Sequence, residues 1–267
     1  MPPVKICVVG FGNMGRCVAE MANNMHNNSE GVKLSAVIDT NAGLAGQIVP
    51  GSDMEVEICR LGYSGEYFGD ADVIVDFSSP SGFDGRANMA GSLKKPFVIG
   101  TTSLSEANRE CLRRISEQVP CILAPNFSIE VNIQFATIAR IVRALGDDYD
   151  IEIIERHHRK KADAPSGTAI YLAEIIKQAR KGNLRFVYGR EGKVGPRASD
   201  ELGIHAVRGG AIFGTHEVLF AGPGGNFQII TEIHSRDSFA KGALLAVKWV
   251  IKQGPGLYDM QDVLGLR

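Results

Sequence analysis

The chain predicts an α/β fold class: a doubly wound parallel sheet, then a second α+β domain with a mixed, largely antiparallel sheet. Three observations carry this. Short apolar runs alternate with helical stripes through the first half. A glycine cluster, Gly10-Phe11-Gly12-Asn13-Met14-Gly15, directly follows the first run. From Asp150 onward, strand-like segments are separated by glycine turns with few helices between them.

The elements follow in order. Val4 to Gly10 is nearly all apolar, as a strand buried on both faces of a parallel sheet must be. Val18, Met21, Ala22 and Met25 lie on one face of the helix after the glycine cluster. A second strand, Val32 to Ile38, ends in Asp39. Residues 43–70, rich in glycine and acids, read as loops around one short strand. Further βα units start at Val73–Phe77 and at Phe97–Gly100, the latter followed by Thr101-Thr102. Ser103 and Glu106 predict a capping box that opens a helix to about Gln118. Cys121 to Ala124 leads into Pro125-Asn126-Phe127. This alternation describes a Rossmann sheet over residues 1–127, with ligands expected beyond the carboxyl ends of its strands.

After Phe127 the texture changes. Val131, Phe135, Ile138, Val142 and Leu145 give one helix a clean apolar stripe. Segments 150–158, 184–190, 202–208, 212–221 and 226–235 then read as strands, with crossovers that look too short for parallel pairing. They define a second domain over residues 128–237. A last helix, about Phe239 to Lys252, belongs to a C-terminal segment 238–267 expected to pack back on the first domain.

A chain of 267 residues with 44% apolar and 22% charged residues can bury two modest cores. A net charge of -1 argues against a general nucleic-acid binder, so any local basic run needs a local reason. No charged lead, long apolar region or cleavage pattern suggests a signal peptide, and no apolar run approaches the roughly 18 residues of a membrane span. Cys7, Cys17, Cys59, Cys111 and Cys121 are scattered, odd in number and never spaced as metal ligands. They read as reduced thiols of a cytoplasmic protein, with a plastid or other organelle left open.

Two stretches carry chemistry. In Gly10-x-Gly12-x-x-Gly15, the first glycine permits the tight turn, the second lets backbone approach a pyrophosphate, and the third lets the helix pack close. With a strand before, a helix after and Asp39 at the end of the second strand, the pattern predicts dinucleotide binding. Asp39 would accept from the adenosine ribose hydroxyls and repel a 2′-phosphate, and Thr40 and Asn41 offer no cation to offset that. NADH is therefore expected over NADPH.

The other stretch runs from Glu155 to Ala169, where Arg156 to Lys161 are all basic or can be. In a regular strand, Ile151, Ile153, Glu155 and His157 share one face, and Glu152, Ile154, Arg156 and His158 the other. The two histidines then point apart. That weakens a metal-site reading, as do the flanking cations and the lack of a third ligand at a familiar spacing. A solvated basic face or nucleic-acid patch is the other plain reading. Against it stands the abrupt Ala162-Asp163-Ala164-Pro165 turn, which aims the run at a helix start. That helix carries Leu172, Ile175, Ile176 and Ala179 on one face, with Ser166 as N-cap, Arg180 and Lys181 near its end and Gly182 as C-cap. Gly167 and Thr168 would expose backbone N–H groups as a carboxylate cradle, and Lys161 could neutralise a second carboxylate or donate a proton. A small dicarboxylate fits.

Glu155-x-His157-His158-x-x-Lys161-x-Asp163-Ala164-Pro165-Ser166-Gly167-Thr168-Ala169 resembles the signature of the 4-hydroxy-tetrahydrodipicolinate reductase (dihydrodipicolinate reductase) family of lysine biosynthesis. The likeness extends to the glycine loop, Gly100-Thr101-Thr102, Ala124-Pro125-Asn126-Phe127-Ser128 and Ser235-Arg236-x-x-Phe239-Ala240-x-Gly242-Ala243. It implies His157 as proton donor/acceptor and Lys161 as second proton donor. It implies substrate contacts from His158, Gly167 and Thr168, with Ser166 nearby. Gly100, Thr101, Thr102, Ala124, Pro125, Asn126 and Phe127 would line the nicotinamide side. It also implies reduction of a cyclic imine dicarboxylate with loss of water, and a homotetramer built through the second-domain sheets. Three departures stand out. The loop is one residue shorter than the family's usual form, with Asn13 where an arginine often stands. Thr40 replaces a basic residue, and Ser103 replaces a glycine. The first two favour NADH, with NADPH left open; the third concerns local loop geometry. The rival readings are another two-domain NAD-dependent dehydrogenase and a non-catalytic NAD-binding sensor. The first would lack the His157 to Thr168 constellation, and a sensor has no use for a proton donor.

Overall fold

A computed structural model describes residues 2–27, 31–59, 65–180 and 182–267. In chain order the elements are β1 (Val4–Val9), α1 (Asn13–Asn27), β2 (Val32–Asp39), a 3₁₀ turn (Ala42–Leu44), β3 (Glu57–Ile58), α2 (Gly65–Phe68) and β4 (Val73–Asp76). Then come α3 (Phe83–Ser92), β5 (Phe97–Ile99), α4 (Glu106–Ser116), β6 (Pro120–Leu123), α5 (Ile129–Leu145), β7 (Asp150–His157) and α6 (Gly167–Ala179). The chain closes with β8 (Arg185–Tyr188), β9 (Glu201–Arg208), β10 (Gly214–Gly222), β11 (Gly225–Ile233), α7 (Asp237–Val250), β12 (Gly256–Tyr258) and α8 (Met260–Val263). Two compact units result: Met1–Ile129 with Arg236–Arg267, and Glu130–Ser235. Among the described residues no helix is long and apolar enough to cross a membrane.

The first unit is a seven-stranded parallel sheet in the order β12-β6-β5-β4-β1-β2-β3, the doubly wound arrangement that the alternating runs predict. Both faces are covered, which explains why β1 reads as continuously apolar. Its alternate residues Ile6 and Val8 join Val18 and Ala22 of α1 and Ala243, Leu244 and Val247 of α7 in one core. Cys7 and Val9 enter a second core with Phe83, Ala87 and Ala90 of α3 and Leu112 and Ile115 of α4. Edge strand β12 is only Gly-Leu-Tyr and carried no sequence signal.

One cap differs from expectation. Ser105, not Ser103, caps α4, accepting from the Asn108 N–H, and Asn108 completes the capping box. Ser103 has φ +59° and turns the chain in the left-handed region, so the next serine takes the cap. A non-glycine residue there costs roughly 1–2 kcal/mol, which accounts for the glycine often found at this point in the family it resembles.

The second unit is a five-stranded sheet in the order β11-β10-β7-β9-β8. β10 runs antiparallel to β7 and β11, whereas β7–β9 and β8–β9 are parallel. The sheet is mixed, as expected, with two antiparallel and two parallel strand pairs. Helix α6 supplies the β7-to-β8 crossover, and the 189–200 link returns β9 between them without a described helix, a route that crossover length alone does not reveal. Along β7, Ile151, Ile153, Glu155 and His157 are buried, as strand alternation requires. Helix α6 packs on β7 and β9. From α5, Gln134 Nε2 donates to the carbonyls of His216 and Ile229. Ser166 does cap α6, accepting from the Ala169 N–H. Its C-cap is Arg180 instead of Gly182, which follows at φ +105°; Lys181 lies outside the described residues.

The 189–200 link is anchored chiefly at Glu152, with Glu201 and Asp150 also bonding its Arg190 and Arg197. Glu152 accepts from Arg190 Nη1 and Nη2, both at 3.0 Å, and from Arg197 Nε at 2.9 Å, and lies 2.6 Å from His205 Nε2. Gly203 is required beneath it, because a Cβ there would stand 1.7 Å from Glu152 Oε2. Burial raises this carboxyl's proton affinity, but Arg190, His205 and Arg197 outweigh it and hold the pKa at about 2. A depressed carboxyl stabilises the fold fully above its unfolded value of 4.5 and loses that contribution as pH falls towards 2, on the order of 3 kcal/mol in all. The melting temperature should therefore fall from pH 5 to pH 2, and Glu152→Gln should be less stable at pH 7 with a flatter dependence over that interval. Equal slopes in calorimetry for the two proteins would contradict this.

Candidate active site

In the first unit the cofactor-binding expectations fall at the carboxyl ends of β1, β2, β5 and β6. Gly10 has φ +88°, and a Cβ would meet Phe77 O at 2.8 Å. Gly15 is stricter still: its Cβ would stand 1.7 Å from Gly10 O. Gly12 has open space around it and begins the turn into α1, since the Arg16 N–H bonds its carbonyl at 3.0 Å. Asn13 and Met14 open α1, whose first turn carries no acid. A phosphate could thus approach the helix N-terminus without meeting a negative side chain.

Asp39 is tied into this loop. Its Oδ2 accepts from the Phe11 N–H at 2.7 Å and its Oδ1 from the Asn41 N–H at 2.8 Å. Each oxygen keeps a lone pair for a ribose hydroxyl. These features fit a dinucleotide. Sequence reasoning missed Arg16, whose guanidinium stacks 4.4 Å above the Phe11 ring and donates to Gln47 Oε1 at 3.2 Å.

Sequence reasoning also missed what holds the neighbouring loops. Asp76, at the end of β4, and Arg86, on α3, form a fully buried ion pair at 2.7 Å. Asp76 accepts as well from Ser78 N–H and Oγ–H and from the Thr101 hydroxyl. Arg86 donates to the carbonyls of Ser79 and Ser81. This pair thus fastens the turn after β4 to the Gly100-Thr101-Thr102 segment. Gly100 admits no side chain, because a Cβ would lie 2.1 Å from the Phe77 ring. Thr101, Ala124 and Phe127 are buried; Thr102 and Pro125 are exposed, and Asn126 is half-buried.

In the second unit, the basic run divides. Arg156 faces away from His157 and pairs with Glu217 at 2.8 Å. Arg159 and Lys160 are exposed, His158 half-buried. Lys161 Nζ rests 2.8 Å from Asp163 Oδ1, an ion pair exposed on the acid's side and therefore weak. Thus the convergence of cations is narrower than the run suggests.

His157 sits 9% exposed in a fully determined setting. Its Nδ1 lies 2.6 Å from Oε2 of Glu155, which has no solvent exposure. The same carboxylate takes both Nη groups of Arg208 at 2.7 Å and the Ser166 N–H at 3.0 Å. Four donors occupy its four lone-pair sites. Burial pushes the Glu155 carboxyl up, but Arg208, His157 and the Ser166 amide together hold it below its ordinary value. Glu155 is therefore ionised and acceptor-only, so Nδ1 of His157 carries hydrogen and Nε2 is the free nitrogen. A Cβ on Gly214 would stand 3.1 Å from that Nε2, so glycine keeps its approach open. Burial lowers the imidazole's proton affinity further than Glu155 restores it, and Lys161 and Arg208 add to the lowering.

His216 lies edge-on to His157 with ring centroids 5.2 Å apart. Burial, then His157, pushes it down to about 4, so it is neutral at pH 7. Its Nε2 lies within hydrogen-bond distance of Ser166 Oγ, at 3.0 Å, and the same oxygen accepts from the Ala169 N–H. Ser166, 3% exposed, thus ties the start of α6 to His216 through its hydroxyl and to Glu155 through its amide. Gly167 and Thr168 form the first turn of α6. Arg208, His216 and Gly214 escaped sequence reasoning because strand register, not motif spacing, brings them to His157.

With this geometry in view, the comparisons with known proteins agree. Residues 4–127 match the family described as "Dihydrodipicolinate reductase, N-terminus", and residues 130–264 match "Dihydrodipicolinate reductase, C-terminus". A 4-hydroxy-tetrahydrodipicolinate reductase of Magnetococcus marinus is 38% identical over 275 residues, covering 99% of each chain. One from Syntrophus aciditrophicus is 48% identical over 198 residues, covering 73% of this chain and 74% of its own. Among solved structures, a dipicolinate-bound dihydrodipicolinate reductase from Paenisporosarcina sp. TG-14 shares the fold at TM-score 0.75 and 24% identity, covering 97% of this chain and 98% of its own. Matched along nearly its whole length, the chain belongs to the dihydrodipicolinate reductase family.

Proposed function

We propose that the chain catalyses the NAD(P)H-dependent reduction of 4-hydroxy-tetrahydrodipicolinate to tetrahydrodipicolinate, with loss of water, in the diaminopimelate route to lysine. The observation that carries this reading is the second-unit site. There a histidine with a free Nε2, a lysine held only by a weak ion pair and a helix N-terminus stand within the chain segment 157–168. When bound, the nicotinamide supplies a hydride.

This chain's own residues do the rest. Gly167 and Thr168 hold one carboxylate at the α6 N-terminus. Lys161 leaves Asp163 for the second carboxylate or for the reacting ring, and His158 adds a further contact. Reduction consumes one proton along with the hydride, and His157 Nε2 or Lys161 Nζ delivers it. A dicarboxylate brings two negative charges, which raise the proton affinity of His157 on its arrival. His157, neutral in the free protein, is thereby loaded when substrate is present. The fixed cations also stabilise the electron-rich ring that protonation quenches.

The cofactor contacts of this reading are Gly10, Phe11, Gly12, Asn13, Met14, Gly15 and Asp39 for the adenosine and phosphates. Gly100, Thr101, Thr102 and Ala124 to Phe127 serve the nicotinamide. The Asp39 carboxylate favours NADH over NADPH. Residues 128–237 act as the substrate and oligomerisation domain, and a homotetramer in the cytoplasm completes the reading. Val207 and Ile230, 44% and 52% exposed on the sheet face opposite His157, support association through that sheet.

A dihydrodipicolinate synthase given pyruvate and aspartate semialdehyde should drive NADH oxidation when this protein is added. No oxidation above the blank would overturn the reading, and NADH binding without turnover would leave a sensor. Lys161→Ala should depress kcat by about 10²–10⁴-fold while NADH affinity stays near wild type. Collapse of NADH binding would assign Lys161 to the cofactor or the fold. Finally, kcat/KM should be higher with NADH than with NADPH, and a clear NADPH preference would contradict the role given to Asp39.

A further inference from the structure

The geometry points to Glu155 and Arg208 as positioning residues for His157: the carboxylate fixes the ring through Nδ1, and the guanidinium fixes the carboxylate, so that Nε2 is the nitrogen left to exchange a proton with substrate. This rests on reading His157 as a proton donor, but its own observations are independent of that reading.

Arg208 is engaged beyond a simple ion pair. Its two Nη groups chelate Glu155 and also donate to the carbonyls of Val207 and Asp163, each at 2.7 Å. Four of its five N–H groups are thereby used, and only Nε lacks a partner. The Asp163 contact lies in the turn that carries Lys161 and leads to the α6 N-terminus. One guanidinium therefore registers three parts of the site: the β7 carboxylate, the 158–166 turn and the end of β9. A planar, bidentate fork does this where a point-charge ammonium cannot.

The same arrangement controls how readily Nε2 is protonated. The charged and titratable groups facing His157 are Glu155 on its own strand, Arg208 on β9, His216 on β10 and Lys161 in the turn. Glu155 is the anion among them and favours the imidazolium; Arg208 and Lys161 disfavour it, and His216 is neutral at pH 7. Arg208 thus acts twice, orienting the carboxylate and tempering its pull on the histidine. A purely structural ion pair would stabilise the unit without governing either the tautomer or the titration of a neighbouring ring.

The test is nitrogen-15 histidine NMR on the full chain, with the His157 signals identified by their loss in His157→Gln. In wild type the neutral His157 should be the Nδ1–H tautomer; an Nε2–H tautomer would overturn the proposal without any further variant. Glu155→Gln should lower the His157 pKa by about one pH unit or more, a tenfold change in protonation, and Arg208→Met should raise it. Arg208→Lys keeps the cation without the fork and should leave the pKa near wild type while the Nδ1 hydrogen bond weakens. An unchanged His157 titration in folded Glu155→Gln and Arg208→Met would overturn the proposal. The pH profile of kcat separates the two readings: its His157 limb should move with the NMR value. If the NMR value moves and the limb does not, the positioning role stands and the proton-donor reading of His157 fails.

Discussion

A carboxylate shut away from water must be answered on every side or give up its charge, and the second unit is organised around that requirement at Glu155. Two guanidinium nitrogens, an imidazole and a backbone amide fill its four acceptor sites. The donors come from three parts of the unit: Arg208 at the end of β9, His157 on β7 and Ser166 at the N-cap of α6. Satisfying one buried charge therefore fixes the strand end, the helix start and the histidine at once. Removing a partner would leave an uncompensated charge in the interior, at a cost of about 3–5 kcal/mol, which is why the arrangement holds its geometry firmly. The adjoining groups follow from it. Ser166 spends its amide on Glu155 and its hydroxyl on capping α6 and meeting His216, and Gly214 leaves the room that Nε2 needs.

The first unit solves a similar problem by similar means. Asp76 and Arg86 form a pair buried on both sides, and their remaining hydrogen-bonding capacity goes to Ser78, Ser79, Ser81 and Thr101. The pair joins two segments at the carboxyl ends of neighbouring parallel strands, where a doubly wound sheet holds its ligands. In both pairs the carboxylate is shut away from water, unlike surface salt bridges, which contribute little. Both set the position of loops that short strands alone would leave loosely defined.

Local physics was legible in the sequence. The continuous apolar runs announced a parallel sheet covered on both faces, and period-two burial along β7 separated His157 from Arg156. The Ser166 cap and the glycine turn followed from their chemistry. Register was not legible. Arg208 meets Glu155 because β9 lies beside β7 in parallel, and His216 meets Ser166 because β10 lies on the other side; sequence spacing carries neither fact. The second sheet is mixed as expected, but its two parallel pairs were hidden for the same reason, since the 189–200 link makes a parallel return that needs no helix. The Ser103 cap failed on a finer point: two serines competed, and the first was taken by a left-handed turn.

The central claim is that a dicarboxylate binds the second unit between the α6 N-terminus and Lys161, with His157 still held by Glu155. A crystal structure of the protein with NADH and pyridine-2,6-dicarboxylate, a flat and unreactive dicarboxylate, measures this most directly. The account predicts one carboxylate on the Gly167 and Thr168 amides, Lys161 moved from Asp163 to the ligand, and His157 Nδ1 unmoved on Glu155. A ligand bound away from residues 157–168, or a His157 ring flipped off Glu155, would contradict it.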